Sequence, residues 1–462
     1  MTADRIVLRD FRNIESADIA LSPGVNVFLG NNAQGKTNLL ESLYLFAAGR
    51  SHRTSHERDM VRFGQPYFEL SLEMSAVDIT RIGRSRAEYT QSAADANDSG
   101  RAEYTQSAVG TNDSGRAEYT QSAVGTNDSG RAEYTQSAAN ANDGGRAEYT
   151  QSAADANDGA QTESPRSDLP IRRRELGFKV FAEGTRKREC KKNGVVVPLT
   201  ELIGAFRAVL FCPEHLSIVK SGPAERRSFL DIALCQLKPV YLKSLSRHNR
   251  ILKQRNALLK QLADGNGDRE LLEVASEQLA REAAHIFTAR RNYVRALDIE
   301  MKRFFSDLGE VTGENEQPSL VYHSSLGDDC ELDESGAYKC YLERLSANTA
   351  REETAGATLY GSHKDDIIIR LDGRDARLYA SQGQQRSLAL SMKLGEGAIS
   401  RVETGDEPVY LFDDVLSELD PRRQLFLLSK LRSQVIMTAC TPPSEEAKIK
   451  ANIINVCQGK AW

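Results

Sequence analysis

The octapeptide Gly30-Asn-Asn-Ala-Gln-Gly35-Lys36-Thr37 constrains this chain more than any other stretch. It fits the pattern G-x-x-x-x-G-K-S/T, and it stands between a strand read at Asn26–Leu29 and a helix read from about Gly35 to Phe46. Glycines let successive backbone N–H groups close round a phosphate, and a helix beginning there adds the positive end of its dipole. In such a loop Gly30, Asn31, Asn32, Ala33, Gln34 and Gly35 form the cradle, Lys36 reaches the β- and γ-phosphates of ATP, and the Thr37 hydroxyl ligates Mg²⁺. A strand–loop–helix unit of this kind requires parallel strands with helices covering them, so the chain is expected to be α/β.

Further along, Pro408-Val-Tyr-Leu-Phe-Asp413-Asp414 reads as a buried strand that ends in two carboxylates. Alone it would mark a helix cap or a surface turn. Beside the loop at 30–37 it supplies a Walker B element, with Asp413 holding Mg²⁺ and Asp414 polarising an attacking water. Ser381-Gln-Gly383-Gln384 precedes a helix and follows the S-x-G-Q signature of ATP-binding cassettes. The Ser381 hydroxyl, the Gly383 N–H and Gln384 would then face a γ-phosphate held by a second subunit. Ser417-Glu-Leu-Asp420, just past Walker B, looks like the D-loop that crosses the same interface.

Lys36 and Asp413 lie 377 residues apart, far more than a transporter cassette needs. Two interruptions fill the gap. The first is a set of five 15-residue copies from Arg86 to Ala160, each opening Arg-Ala-Glu-Tyr-Thr-Gln-Ser-Ala. The unit has almost no aliphatic side chain larger than alanine and cannot offset the ordering entropy of its backbone, about 1–2 kcal/mol per residue, so a disordered insertion is expected. The flanking segments 68–74 and 176–181 alternate apolar and polar residues and read as a hairpin whose β-loop the repeat lengthens. The second interruption, residues 223–305, carries a helical periodicity in two blocks broken at Ala263-Asp-Gly-Asn-Gly-Asp268, which reads as an antiparallel helical hairpin.

Composition sharpens this only once the repeat is set aside. The chain of 462 residues carries a net charge of -5, but the repeat alone holds -7, leaving a body at +2. A slightly basic body is compatible with a polyanionic partner. Mean hydropathy is -0.48 and no segment approaches the ~20 apolar residues of a membrane span, so no membrane role is expected. The start of the chain lacks a signal-peptide layout, and the seven cysteines form no CxxC pair; a cytoplasmic protein with reduced thiols is expected.

Phe11-Arg-Asn13, the loop at 30–38, Pro213-Glu-His-Leu-Ser-Ile-Val219, Pro223-Ala-Glu-Arg-Arg-Ser-Phe-Leu-Asp231, Gly361-Ser-His-Lys-Asp-Asp366, Tyr379-Ala-Ser-Gln-Gly-Gln-Gln-Arg-Ser387 and Asp413-Asp-Val-Leu-Ser-Glu-Leu-Asp420 together resemble the bacterial RecF family. The resemblance covers nearly the whole chain except 86–160. It implies an ABC-type P-loop ATPase head (a mixed sheet with flanking helices) related to structural-maintenance-of-chromosomes proteins, with an inserted α-helical arm. The expected segments are 1–85 and 161–222 for the first part of the head, 86–160 for the repeats, 223–356 for the arm, and 357–462 for the part carrying signature, Walker B and D-loop. The resemblance also implies a homodimer formed with ATP, binding of single-stranded and gapped duplex DNA, cooperation with RecO and RecR in loading recombinase, and a link to the SOS response.

Two departures from the usual cassette pattern point to slow hydrolysis. The strand Gln434-Val-Ile-Met437 leads into Thr438-Ala-Cys-Thr441 with no switch histidine, and Asp414 stands where many cassettes have glutamate. His363 is read either as a neighbour of the phosphates or as a turn-stabilising residue. The basic groups at 172–174 and 186–192, and Lys243, Arg247, Arg250, Lys253 and Arg255, are read either as a DNA track or as a solvated face. Alternative classes are another arm-bearing chromosome ATPase, which would need a longer coiled coil, and a small-molecule P-loop kinase, which has no use for a signature or a D-loop.

Overall fold

The computed structural model describes residues 1–77, 171–184, 187–216, 218–313, 315–328, 330–441 and 451–462, together with the pairs Gly125–Thr126 and Ala132–Glu133, which form a short antiparallel ladder. The rest of the repeat lies outside the described residues. The chain forms two compact units, one made of Met1–Val77 and Ile171–Trp462 and the other of Asp78–Pro170.

Among the described residues the larger unit holds three sheets. The first is antiparallel, in the order Ile14–Ala20, Thr2–Phe11, Tyr67–Val77, Ile171–Phe181, Arg188–Lys192, Val195–Val197. Its central pair is the hairpin read from the alternating segments around the repeat, in register from Tyr67↔Phe181 to Val77↔Ile171. The second sheet runs Ala208–Phe211, Val409–Phe412, Val435–Ala439, Val25–Leu29, Ala451–Cys457, Lys460–Ala461. Its first five strands are parallel, and the last turns back antiparallel.

Two of the strands in the parallel sheet, Ala208–Phe211 and Val409–Phe412, are buried along their whole length, which explains their unbroken apolar sequence. One face, with Leu210, Leu411 and Ile436, packs with Leu43 and Phe46 of the helix Lys36–Ala48 and with Leu70 and Phe178 of the antiparallel sheet. The other face, with Phe211, Phe412 and Met437, packs on Leu234, Leu297 and Leu388 of the helices Pro223–Leu237, Arg269–Thr312 and Gln382–Thr404. The period of two that assigns alternate residues to these faces is the pleat of a strand.

The two helical blocks appear as Pro239–Ala263 and Arg269–Thr312. Asp268 caps the second, accepting hydrogen bonds from the N–H groups of Glu270 (2.9 Å) and Leu271 (3.2 Å). A small third sheet was not anticipated. Pro318–Ser324 pairs antiparallel with Asp366–Leu371, so the chain crosses back over the segment boundary expected at residue 356.

Arg255 contradicts the reading of it as either DNA-facing or solvated. It is fully buried, in a 2.7 Å ion contact with the equally buried Glu352. Its Nε and Nη1 donate to the hydroxyls of Ser276 and Thr358, each at 2.8 Å. A guanidinium on an otherwise basic helix was thus drawn inward by a carboxylate from the short helix Thr349–Ala355.

Candidate functional site

The strand Val25–Leu29 ends at Gly30, the loop turns through Ala33 (φ 63°) and Gly35 (φ 108°), and the helix Lys36–Ala48 begins. Glycine is required at both ends of the loop. A Cβ on Gly30 would lie 2.2 Å from the Val456 carbonyl oxygen, and one on Gly35 would lie 2.9 Å from Asn13 Oδ1. No side chain caps the helix, so its N-terminal end is left available to a phosphate.

Lys36 is buried, and its Nζ donates to the carbonyl oxygens of Gly30 (2.6 Å) and Asn31 (3.0 Å). Among the described residues no carboxylate pairs with it. With only two carbonyl oxygens and the Cys440 sulfur (3.4 Å) as partners, this buried ammonium is set up to receive an anion, and a phosphate fits it.

Walker A and Walker B meet directly. Thr37 Oγ1 donates to Asp413 Oδ1 at 2.8 Å, and Thr438 Oγ1 donates to the same oxygen at 3.1 Å. His52 Nε2 lies 3.9 Å from Asp413 Oδ2. Burial alone would raise the Asp413 carboxyl, but the neighbouring His52 imidazole and the hydrogen bonds from Thr37 and Thr438 outweigh it and hold the group below its ordinary 3.8. The carboxylate is therefore kept ionised beside the Thr37 hydroxyl. These are hard oxygen donors suited to Mg²⁺, and among the described residues no cluster of three or more His, Cys, Asp or Glu could hold a metal unaided. That donor set fits an ion completed by phosphate oxygens and water.

Asp414 is exposed and left-handed (φ 53°), with its N–H bonded to Thr438 Oγ1 at 2.8 Å and its carbonyl to the Ser417 hydroxyl at 2.6 Å. Its backbone is fixed and its carboxylate faces solvent.

The signature lies elsewhere on the surface. Ser381 is the N-cap of the helix Gln382–Thr404, with Gln384 completing a capping box: the Ser381 hydroxyl accepts from the Gln384 N–H (3.2 Å), and the Gln384 side chain accepts from the Ser381 N–H (2.7 Å). Ser381 is exposed and Gly383 partly so, and none of these bonds reaches residues 30–37. Leu378 and Tyr379 beside them are also exposed, at 71% and 68%.

Three residues near the P-loop escaped the sequence reading. Thr438 and His52 hold Asp413, as above. Cys440, at the place scanned for a switch histidine, lies 3.4 Å from Lys36 Nζ and 2.9 Å from Asn32 Oδ1. Only Cys440 carried a signal, the strand end after Walker B. His363 resolves to the turn-stabilising alternative: its Nε2 is 3.1 Å from the Thr358 carbonyl, and its ring packs 6.0 Å from that of His248. The basic groups are partly spent on local pairs, Arg188 with Glu57 (2.6 Å) and Arg247 with Glu282 (2.8 Å). All seven cysteines are free, as expected.

A phosphate loop between a parallel strand and a helix, a Walker B carboxylate touching its threonine, and a separate exposed signature define a P-loop ATPase head of the cassette type. The profile of the RecF/RecN/SMC N-terminal domain family matches residues 2–459. DNA replication and repair protein RecF of Staphylococcus carnosus (strain TM300) is 31% identical over 94% of this chain and 91% of its own length. The protein of that name from Staphylococcus aureus (strain bovine RF122 / ET3-1) is 30% identical over 100% of this chain and 99% of its own. Among solved structures, one described as the recombination mediator protein RecF-ATPrS in the RecFOR pathway superposes with a TM-score of 0.73 at 26% identity, covering 100% of this chain and 97% of that one. The chain belongs to the RecF/RecN/SMC N-terminal domain family and, within it, to the RecF proteins of DNA replication and repair. Among the described residues no helix is long and apolar enough to cross a membrane.

Proposed function

We propose that this protein is an ATP-switched DNA-binding ATPase of recombinational repair, closing as a homodimer on ATP at single-strand gaps. The observation that carries this reading is the 2.8 Å contact between Thr37 and Asp413, which joins Walker A to Walker B across most of the chain. Lys36 binds the β- and γ-phosphates, and the N–H groups of residues 30–37 wrap them. Thr37 and Asp413 would hold Mg²⁺, which when bound neutralises charge developing on the phosphate oxygens. Asp414 orients the attacking water from its exposed, left-handed position. Its side chain is one methylene shorter than glutamate, so the water is held less closely and turnover is slow.

The signature supports the dimer. Ser381 is exposed with Leu378 and Tyr379, Gly383 is partly exposed, and Gln384 braces Ser381 through the capping box while bonding Glu316, an arrangement suited to the γ-phosphate of a second copy. Residues 223–356 serve as the arm, flanked by head segments 1–85 with 161–222 and 357–462. Action on single-stranded and gapped duplex DNA with RecO and RecR, and an SOS role, follow from the family resemblance. The P-loop reading is tested by Lys36→Met. ATP binding measured by calorimetry should fall below detection because the phosphates lose their main cationic partner; parental affinity would refute the assignment.

A further inference from the structure

The last two strands end in a turn that touches the P-loop from outside. Ala451–Cys457 lies parallel to Val25–Leu29 and returns through Gln458 and Gly459 into Lys460–Ala461. Two consecutive N–H groups of this turn are spent on one P-loop residue: Gly459 donates to the Gln34 carbonyl at 2.9 Å and Gln458 to Gln34 Oε1 at 2.5 Å. The approach is close enough to demand glycine, since a Cβ on Gly459 would lie 2.5 Å from the Asn13 carbonyl oxygen. Asn13 in turn accepts from Asn38 Nδ2 at 2.8 Å and abuts Gly35. The loop is therefore gripped on one side by the Asn13 turn at Gly35 and on the other by the C-terminal hairpin, whose Val456 abuts Gly30 and whose turn bonds Gln34.

We propose that the C-terminal hairpin, through Gln458 and Gly459, is a positioning element of the nucleotide site that holds the P-loop backbone in its phosphate-binding shape. The inference rests on residues 30–37 being the nucleotide loop. A free Gly-rich loop samples many conformations, and binding then selects the competent fraction, which lowers apparent affinity by that fraction. Holding Gln34 from outside removes part of that loss without any contact to the ligand.

The test measures ATP and ADP affinity of the full chain with Gly459→Ala, Gly459→Asn and Gly373→Ala. Gly373 is a matched control: Asp372 and Gly373 (φ 49° and 74°) repeat the turn geometry of Gln458 and Gly459 (φ 48° and 75°), but nothing lies within 4 Å of its Cβ position. Both Gly459 variants should weaken ATP and ADP binding about tenfold, the scale of one or two lost hydrogen bonds. The Gly459 variants should lower the melting temperature of the nucleotide-free protein more than Gly373→Ala does, because the added Cβ meets a backbone oxygen, so affinity is read at a temperature where every variant is fully folded; there Gly373→Ala should keep parental affinity. Asparagine tolerates a positive φ but still carries the Cβ, so it separates close approach from backbone strain. Parental affinity in either Gly459 variant overturns the proposal, as does an equal loss in Gly373→Ala, or a loss that disappears once affinity is referred to the folded fraction of the protein. Lys36→Met measured alongside distinguishes the two readings: if it too binds normally, the P-loop assignment has failed and not merely its positioning.

Discussion

At the scale of single residues, the site divides tasks by burial. Asp413 is enclosed and held by two hydroxyls and an imidazole, so it can be a fixed ion ligand. Asp414 is exposed, with only its backbone tied down. Asp414→Asn should therefore retain ATP affinity and lower single-turnover hydrolysis by about a hundredfold, the usual range for a lost general base. Hydrolysis at the parental rate would assign the water to another group. The meeting of Thr37 with Asp413 was foreshadowed in the sequence because each belongs to a local pattern, a glycine-rich loop before a helix and an apolar strand ending in acids, whose neighbours fix its geometry. Thr438, His52 and Gly459 were not. Each acts through a partner dozens to hundreds of positions away, and only the folded sheet places a threonine one strand over from Walker B.

Elements follow the same division. The strand and helix around the P-loop, the hairpin flanking the repeat and the break at 263–268 were legible from period and punctuation. The pairing of Pro318–Ser324 with Asp366–Leu371 was not, because a seven-residue strand among helices gives little periodic signal. Charge misled on the helix Pro239–Ala263, where Arg255 faces inward. Its contact with Glu352 is an ion pair by distance rather than an aligned hydrogen bond; it ties this helix to Thr349–Ala355, while the bond to Ser276 ties it to Arg269–Thr312. Arg255→Ala should cost about 3–5 kcal/mol by leaving Glu352 charged and buried, whereas Arg255→Met with Glu352→Leu should recover most of that. Urea unfolding of the two variants checks this, and equal stability of single and double variants would show that the pair is not coupled.

For the whole molecule, the repeat is an addition to a frame that closes without it. Val77 and Ile171 already pair, so a short turn replacing residues 86–160 can join the strands. That deletion moves net charge from -5 to +2. Melting temperature and ATP binding should be unchanged, and affinity for single-stranded DNA at low salt equal or higher, since a polyanion meets less negative charge; a large fall in melting temperature would show that the repeat supports the fold. The central claim is that a complete site needs two copies, the P-loop of one and the exposed signature of the other. Its most direct measurement is the mass of the protein by light scattering, with and without ATP, for the parent, Ser381→Arg, Lys36→Met and an equimolar mixture of the two variants. Ser381→Arg should bind ATP as a monomer and fail to dimerise, Lys36→Met should stay monomeric, and the mixture should form some ATP-dependent dimer through its one intact composite site. A Ser381→Arg protein that dimerises with ATP as the parent does would contradict the account.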